Sequence, residues 1–312
     1  MKAIVTTTIN PITKALEKFL AMKEWRIFVV GDLKTPHKEY DNIPGVTYLH
    51  PDFQAARWPK LSEMIGFNCI QRRNFGFLYA YECGAEVVAS VDDDNIPYDD
   101  WDSNLLVNQT VEVDYYKAKN GVFDPLSVTN HKDLWHRGYP WELVKTKNDV
   151  SYLGKTIVTV DVQAGLWNGD PDIDAVERII FSPTVKFDKH IEPYYSDQLT
   201  VFNSQNTFIS RKVLPNYMMI PFVGRMDDIW GAYILQKLMD IQVVFTKATV
   251  YQERNVQSLY KNMRDEMIGY ENNLEITTGE RCFGSAAVAR SAIDKLPTKS
   301  KEALEEYRSL FA

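Results

Sequence analysis

The residues best able to do chemistry are three adjacent aspartates, Asp92-Asp93-Asp94. Neighbouring carboxylates repel one another and are costly to hold together unless a cation is near. Their oxygens suit Mg2+ or Mn2+, ions that usually bridge to substrate phosphates. In extended backbone Asp92 and Asp94 face one side and Asp93 the other, so one acid can meet a ribose and another a metal. A second pair, Asp227-Asp228, follows Gly224-Arg225 at an expected helix start. The macrodipole favours negative charge there, and such a carboxylate can act as a base or stabilise charge on a reacting sugar. Arg225 can bind phosphate. In a third run, Gly169-Asp170-Pro171-Asp172-Ile173-Asp174, acids alternate with other residues. It reads either as a loop of Asx turns or as a set of groups for a metal or sugar hydroxyls. Lys34, Arg72 and Arg73 are cations of the kind that neutralise a diphosphate.

These groups need a scaffold, and the first hundred residues alternate strand and helix. Strands are expected at Ala3–Val5, Trp25–Val30, Val46–Leu49 and Glu86–Val91, and helices at 12–22 and 71–83. Alternation at this spacing implies βαβ units and a parallel sheet. Ligands of such sheets bind beyond the C-terminal strand ends, which here are Thr6–Asn10, Gly31–Thr35 and Asp92–Asn95, all carrying polar groups. From about 105 to 200 the pattern becomes irregular and aromatic, as in Gly165-Leu166-Trp167, and reads as the rest of the sheet with an acceptor-facing wall. A strand with polar interruptions over 199–210, a helix over 226–239, a strand at Val243–Phe245 and a helix over Lys299–Phe311 follow.

Composition excludes several classes. The chain has 312 residues, is 45% hydrophobic and carries 42 acids against 35 Lys and Arg, a net charge of −7. That is a globular composition, and the acidic balance argues against general nucleic-acid binding. Eight of the acids sit in the three aspartate clusters, enough to account for the whole surplus if the clusters share one cleft. Cys69, Cys83 and Cys282 form no CxxC pair, and the histidines are scattered, so neither a disulfide framework nor a structural zinc site is expected. No apolar run reaches the ~18 residues of a membrane span. The N-terminus reads as a strand instead of a signal peptide, so the expected location is cytoplasmic. There is no Gly-x-Gly-x-x-Gly, P-loop or Gly-x-Ser-x-Gly, which speaks against dehydrogenase, P-loop NTPase and α/β-hydrolase chemistry.

A βαβ start, a strand ending in Asp-x-Asp and a later Asp-Asp at a helix start form the layout of nucleotide-sugar glycosyltransferases of the GT-A fold. Four ordered landmarks resemble the STELLO family of glycosyltransferase-like proteins. They are Lys34-Thr35-Pro36 after Val29–Asp32, Arg72–Ala80, Asp92–Asn95 and Val250–Asn255. A second set is similar to the reversibly glycosylated polypeptides, which are UDP-arabinopyranose mutases. It comprises Arg137-Gly138-Tyr139-Pro140, Gly165–Trp167 with Pro171–Ala175, and Gly224–Trp230. In that family the arginine before Gly-Tyr-Pro is self-glycosylated, which corresponds to Arg137. Two positions depart from its pattern: Val144 replaces a second arginine, and Gln252 stands where a histidine is expected.

The resemblance implies a single GT-A-like (Rossmann-like) α/β domain with a mixed, mainly parallel sheet flanked by helices. Residues 1–260 would form the nucleotide-sugar-binding part and 261–312 a helical appendage. It implies Asp32 near the uracil and Asp92 near the ribose, with Lys34, Arg72, Arg73 and Arg225 on the diphosphate. Thr7, Thr8, Asp93 and Trp167 complete the expected nucleotide-sugar contacts. Asp94, Asp92 and the amide of Gln252 are the expected ligands of Mn2+ or Mg2+. Asp228, with Asp227 in reserve, is the expected catalytic carboxylate. The expected activity is glycosyl transfer from a UDP-sugar to an unidentified sugar or glycan. The alternatives are a UDP-sugar mutase or self-glycosylating protein working through Arg137, and a non-catalytic UDP-sugar-binding scaffold.

Overall fold

In a computed structural model, the structure describes residues 1–254, 257–278, 291 and 293–311. Asn255 and Cys282 lie outside the described residues. The chain opens with β1 (Lys2–Thr7), α1 (Lys14–Leu20), β2 (Trp25–Val30), α2 (His37–Tyr40), β3 (Val46–Leu49), α3 (Pro51–Arg57), α4 (Pro59–Ile65), α5 (Arg73–Glu82) and β4 (Val87–Val91). The first strands are rich in Val, Ile and Thr, which suit a pleated, buried surface. They pair in parallel, with Ile4 opposite both Ile27 of β2 and Ala89 of β4. Both faces are covered, as a parallel sheet requires. Val5, Phe28 and Val30 pack with Phe75 and Leu78 of α5. Ile4, Ile27 and Val29 pack with Leu16 and Phe19 of α1 on the other face.

The remaining elements are β5 (Asn95–Pro97), β6 (Thr110–Ala118), β7 (Val122–Phe123), β8 (Val150–Thr159), β9 (Val162–Gly169), α6 (Ala175–Phe181), β10 (Tyr194–Tyr195), β11 (Leu199–Thr200), β12 (Asn206–Ser210), α7 (Asp227–Leu238), β13 (Val243–Gln252), α8 (Leu259–Thr277) and α9 (Thr298–Ser309). The large sheet runs β3-β2-β1-β4-β12-β9-β13-β10-β6-β8, with β5 on β13. β12 enters antiparallel between β4 and β9, so the sheet is mixed beyond its parallel N-terminal part. This is the helix-flanked, GT-A-like α/β architecture that the sequence implies.

Several boundaries moved for physical reasons. The expected helix over 71–83 begins with a 3-10 turn at Ile70–Arg72. The expected strand over 199–210 splits into β11 and β12, because Asn203 and Ser204 turn aside to hydrogen-bond Asp172 and Asp228. β13 runs on to Gln252, well beyond Phe245.

Ile276 of α8 and Ala303, Leu304 and Tyr307 of α9 lie in the same core as β1 and α5. Burying a side chain such as Leu304 contributes about 1.5–3 kcal/mol. Tyr307 Oη also donates to Leu214 O at 3.2 Å. Among the described residues, no helix is long and apolar enough to cross a membrane.

Candidate functional site

β4 is a run of five buried residues, and its end delivers the aspartate triplet. Asp92 N donates to Gln205 O at 3.3 Å and Asn95 N to Asp92 O at 3.2 Å, closing a turn over the triplet. Glu253 N, just past β13, donates to Asp94 O at 3.1 Å. The start of α7 supplies Asp227 and Asp228, and the loop after β9 supplies Asp172. These segments enclose a cavity of about 280 Å3 that also includes Arg73, Arg137, Arg225, Gln252 and Arg254. Six of the eight clustered aspartates therefore share one cleft, facing four arginines. The other two do not line it. Asp170 pairs with Arg178 and Arg254, and Asp174 caps α6 by accepting from Glu177 N at 2.8 Å.

Each acid of the triplet has a different environment. Asp92 Oδ1 accepts from Arg73 Nη2 at 2.7 Å. Asp93 Oδ2, on the opposite face, accepts from Thr8 Oγ1 at 2.6 Å and Asn10 Nδ2 at 2.9 Å. Burial nevertheless raises its pKa above the ordinary carboxylate value. Asp94 Oδ1 is buried without a hydrogen-bond partner among the described residues. Burial, and then the charges of Asp92 and Asp93, push the Asp94 carboxyl up to about 7.

An orphaned, buried carboxylate oxygen beside two further acids fits a hard divalent cation. Among the described residues, no group of three or more His, Cys, Asp or Glu side chains is placed to enclose a metal alone. A cation held by Asp94, with Asp92 nearby, would thus complete its shell with substrate oxygens, the usual habit of Mg2+. Gln252, the third expected ligand, also lines this cavity. Its amide oxygen accepts from Arg254 Nη2, at 3.3 Å or at 3.1 Å with the amide turned over.

Asp227 and Asp228 differ although adjacent. Asp228 Oδ1 accepts from Arg137 Nη2 at 3.0 Å and from Ile229 N at 2.9 Å. Asp228 Oδ2 accepts from Ser204 N at 2.9 Å and Ser204 Oγ at 3.1 Å. Asp227 accepts from Gln71 Nε2 at 3.0 Å. Burial, and then the Asp228 charge, push its carboxyl up to about 7.

The arginines also divide. Arg73 is fully buried, and each guanidinium nitrogen has a partner among Thr7, Ser90, Ser204 and Asp92. Arg137 reaches Asp172 through Nε at 2.8 Å and Nη2 at 3.0 Å, and donates from Nη1 to Arg225 O. Burial opposes its charge, but Asp172 and Asp228 hold its pKa well above the ordinary value. Asp172, which burial alone would push up, is pulled well below the carboxylate range by Arg137. Arg225 bonds Glu266 through Nε at 2.8 Å, and its two terminal nitrogens have no hydrogen-bond partner among the described residues. Arg254 lies between Asp170 and Asp172 at 3.3 and 3.8 Å. Burial lowers its pKa.

A second cavity of about 460 Å3 adjoins the first, sharing Ile70 and Asp93. It contains Thr7, Thr8, Asn10, Asp32 and Cys69. Asp32 is fixed there by Leu33 N at 2.7 Å and Cys69 N at 2.9 Å.

Three expected contacts lie elsewhere. Arg72 is fully buried on Gln54 Oε1 at 2.7 Å and Gly66 O at 2.8 Å, packed against Phe67 and Phe75, and lines neither cavity. The step of about 100° per helical residue turns it away from its neighbour Arg73. Lys34 is exposed outside both cavities. Trp167 is buried in β9 with its ring against His136 and Phe187. Asp172, from the alternating aspartate run, lines the first cavity, and so do Ser204, Gln205, Arg254 and Gln257, which were not expected as site residues. Of these four, only Arg254 carried a signal, its place in the landmark Val250–Asn255.

No protein-family model matches the chain. It is 24% identical over 278 residues, 82% of its length, to a protein of Arabidopsis thaliana named "Probable glycosyltransferase STELLO2". It is 24% identical over 257 residues, 76% of its length, to "Probable glycosyltransferase STELLO1" of the same plant. The matches cover 36% and 33% of those proteins, so the chain spans about a third of the length of the curated relatives it matches. Over that span the chain is STELLO-like.

Proposed function

We propose that the chain is a glycosyltransferase that uses a UDP-sugar donor together with Mg2+ or Mn2+. The observation that carries this reading is the buried oxygen of Asp94, which has no hydrogen-bond partner among the described residues, in a cavity also lined by Arg225, whose terminal nitrogens have none among them either. Anion and cation sites side by side suit a metal-bound diphosphate. The adjoining cavity around Thr7, Thr8 and Asp32 lies at strand ends, where nucleotides bind in α/β sheets. Both curated relatives are named as probable glycosyltransferases, which agrees with this reading.

When bound, the cation supplies charge neutralisation and Lewis-acid stabilisation to the departing UDP. Asp94 anchors it, and Arg73 orients Asp92 beside it. Arg225 and Arg254 bind the diphosphate oxygens. Asp227 takes the proton of the acceptor hydroxyl as that oxygen bonds to the anomeric carbon. The electron pair of the broken carbon–oxygen bond leaves with UDP. A carboxyl pushed up to about 7 is matched to that task. Asp228, with four hydrogen bonds already accepted, fixes Ser204 and Arg137 around the reacting centre.

Arg137 is poorly placed to be a glycosyl acceptor, because each of its guanidinium nitrogens is already donating. Incubation with Mn2+ and UDP-glucose, UDP-galactose or UDP-arabinopyranose, followed by NMR, tests the proposal. Release of UDP, by transfer or slow hydrolysis, is expected. Donors that stay intact, or a furanose product with a glycosyl adduct on Arg137, would overturn it.

A further inference from the structure

The 3-10 turn Gly224–Met226 precedes the two aspartates at the start of α7, and each of its residues rests on α8. Gly224 has φ +58, and a Cβ there would lie 1.9 Å from Asp265 O, so only glycine allows the two backbones to meet. Met226 packs onto Gly269, where an added Cβ would come within 2.6 Å of its sulfur. Between them, Arg225 Nε donates to Glu266 Oε1 at 2.8 Å. The other Glu266 oxygen accepts from Ala175 N and Tyr270 Oη, both at 2.7 Å. Glu266 is 1% exposed. A buried carboxylate with both oxygens engaged is a rigid anchor, and among the described residues Arg225 bonds only through Nε, which leaves both terminal nitrogens for a ligand.

We propose that Glu266 is the positioning residue for Arg225, which makes α8 part of the diphosphate-binding unit. The assignment rests on the UDP-sugar reading for its ligand, but its geometry is independent of it. Glu266 touches no substrate. It holds the guanidinium plane so that the terminal nitrogens face the cavity, and it ties that orientation to the first residue of α6.

The test measures UDP and uridine binding with Mn2+ by calorimetry, using the full chain. Glu266→Ala should weaken UDP about tenfold, the scale of one charge-assisted contact, and leave uridine unchanged. Glu266→Gln keeps an acceptor oxygen and should restore most of the affinity. Combining Glu266→Ala with Arg225→Ala should add nothing to Arg225→Ala alone, since both remove one interaction. Wild-type UDP affinity in Glu266→Ala, or equal losses for UDP and uridine, would overturn the assignment.

A wild-type chain that binds no UDP would contradict the donor reading instead. Exchange of the Arg225 Nε proton, followed by NMR, then decides the role of Glu266. Protection that is lost in Glu266→Ala supports the assignment, and equal exchange in both chains refutes it.

Discussion

Arg137 Nη2 lies 3.0 Å from Asp228 Oδ1, in a cluster where Asp172 accepts from Nε and from the same Nη2. All three side chains are less than a tenth exposed. Removing one member of a buried ion cluster leaves the others uncompensated, at a cost of about 3–5 kcal/mol. Arg137→Met should therefore lower stability by about that amount in urea unfolding. Arg137→Lys, which cannot span both carboxylates, should also be destabilising but less so.

Asp227 is the proposed base. Its carboxyl, pushed up to about 7, must lose its proton to act. The transfer rate should rise with pH and level off above about 7. Asp227→Asn should lower the rate about 10²–10⁴-fold and abolish that acidic limb, with UDP affinity little changed. A pH–rate profile of the two chains checks this.

Arg72 and Arg225 differ in what they do for binding. Arg72→Met removes buried bonds to Gln54 and Gly66 and should destabilise the fold by about 2–4 kcal/mol. The folded variant should bind UDP normally. Arg225→Ala should weaken UDP binding about tenfold, and because it leaves the buried Glu266 carboxylate without its cation it should also lower stability, by at most about 3–5 kcal/mol. Thermal melts paired with calorimetry on both variants make the comparison.

Glu177 bears on stability alone. Burial, and then the Asp174 charge, push its carboxyl up to about 9, and its Oε2 is buried without a partner among the described residues. The folded chain keeps a proton that the unfolded chain releases above the ordinary value of 4.5. The associated stability is full below that value and is lost as pH rises through about 9. Glu177→Gln should raise Tm by roughly 3 °C at pH 8 and change it little at pH 4, as scanning calorimetry would show.

The sequence pattern revealed the parts of the site that are local. An apolar run ending in three aspartates marks a strand tip, and Asp227-Asp228 marks a helix start. What stayed hidden depends on distance along the chain. Arg137 meets Asp172 across 35 residues, and Arg225 meets Glu266 across 41. The polar residues 203–205 read as interruptions of a strand over 199–210, because their reason, the hydrogen bond from Ser204 N to Asp228, exists only after folding. Arg72 and Arg73 were indistinguishable in sequence, yet one serves the fold and the other the cavity.

The cation–diphosphate account is tested most directly by calorimetry of UDP binding with Mn2+ and with EDTA, in the wild-type chain and in Asp94→Asn. The account predicts Mn2+-dependent UDP binding in the wild-type chain, weakened at least about tenfold by EDTA or by Asp94→Asn. UDP affinity that is the same in all four measurements would contradict it.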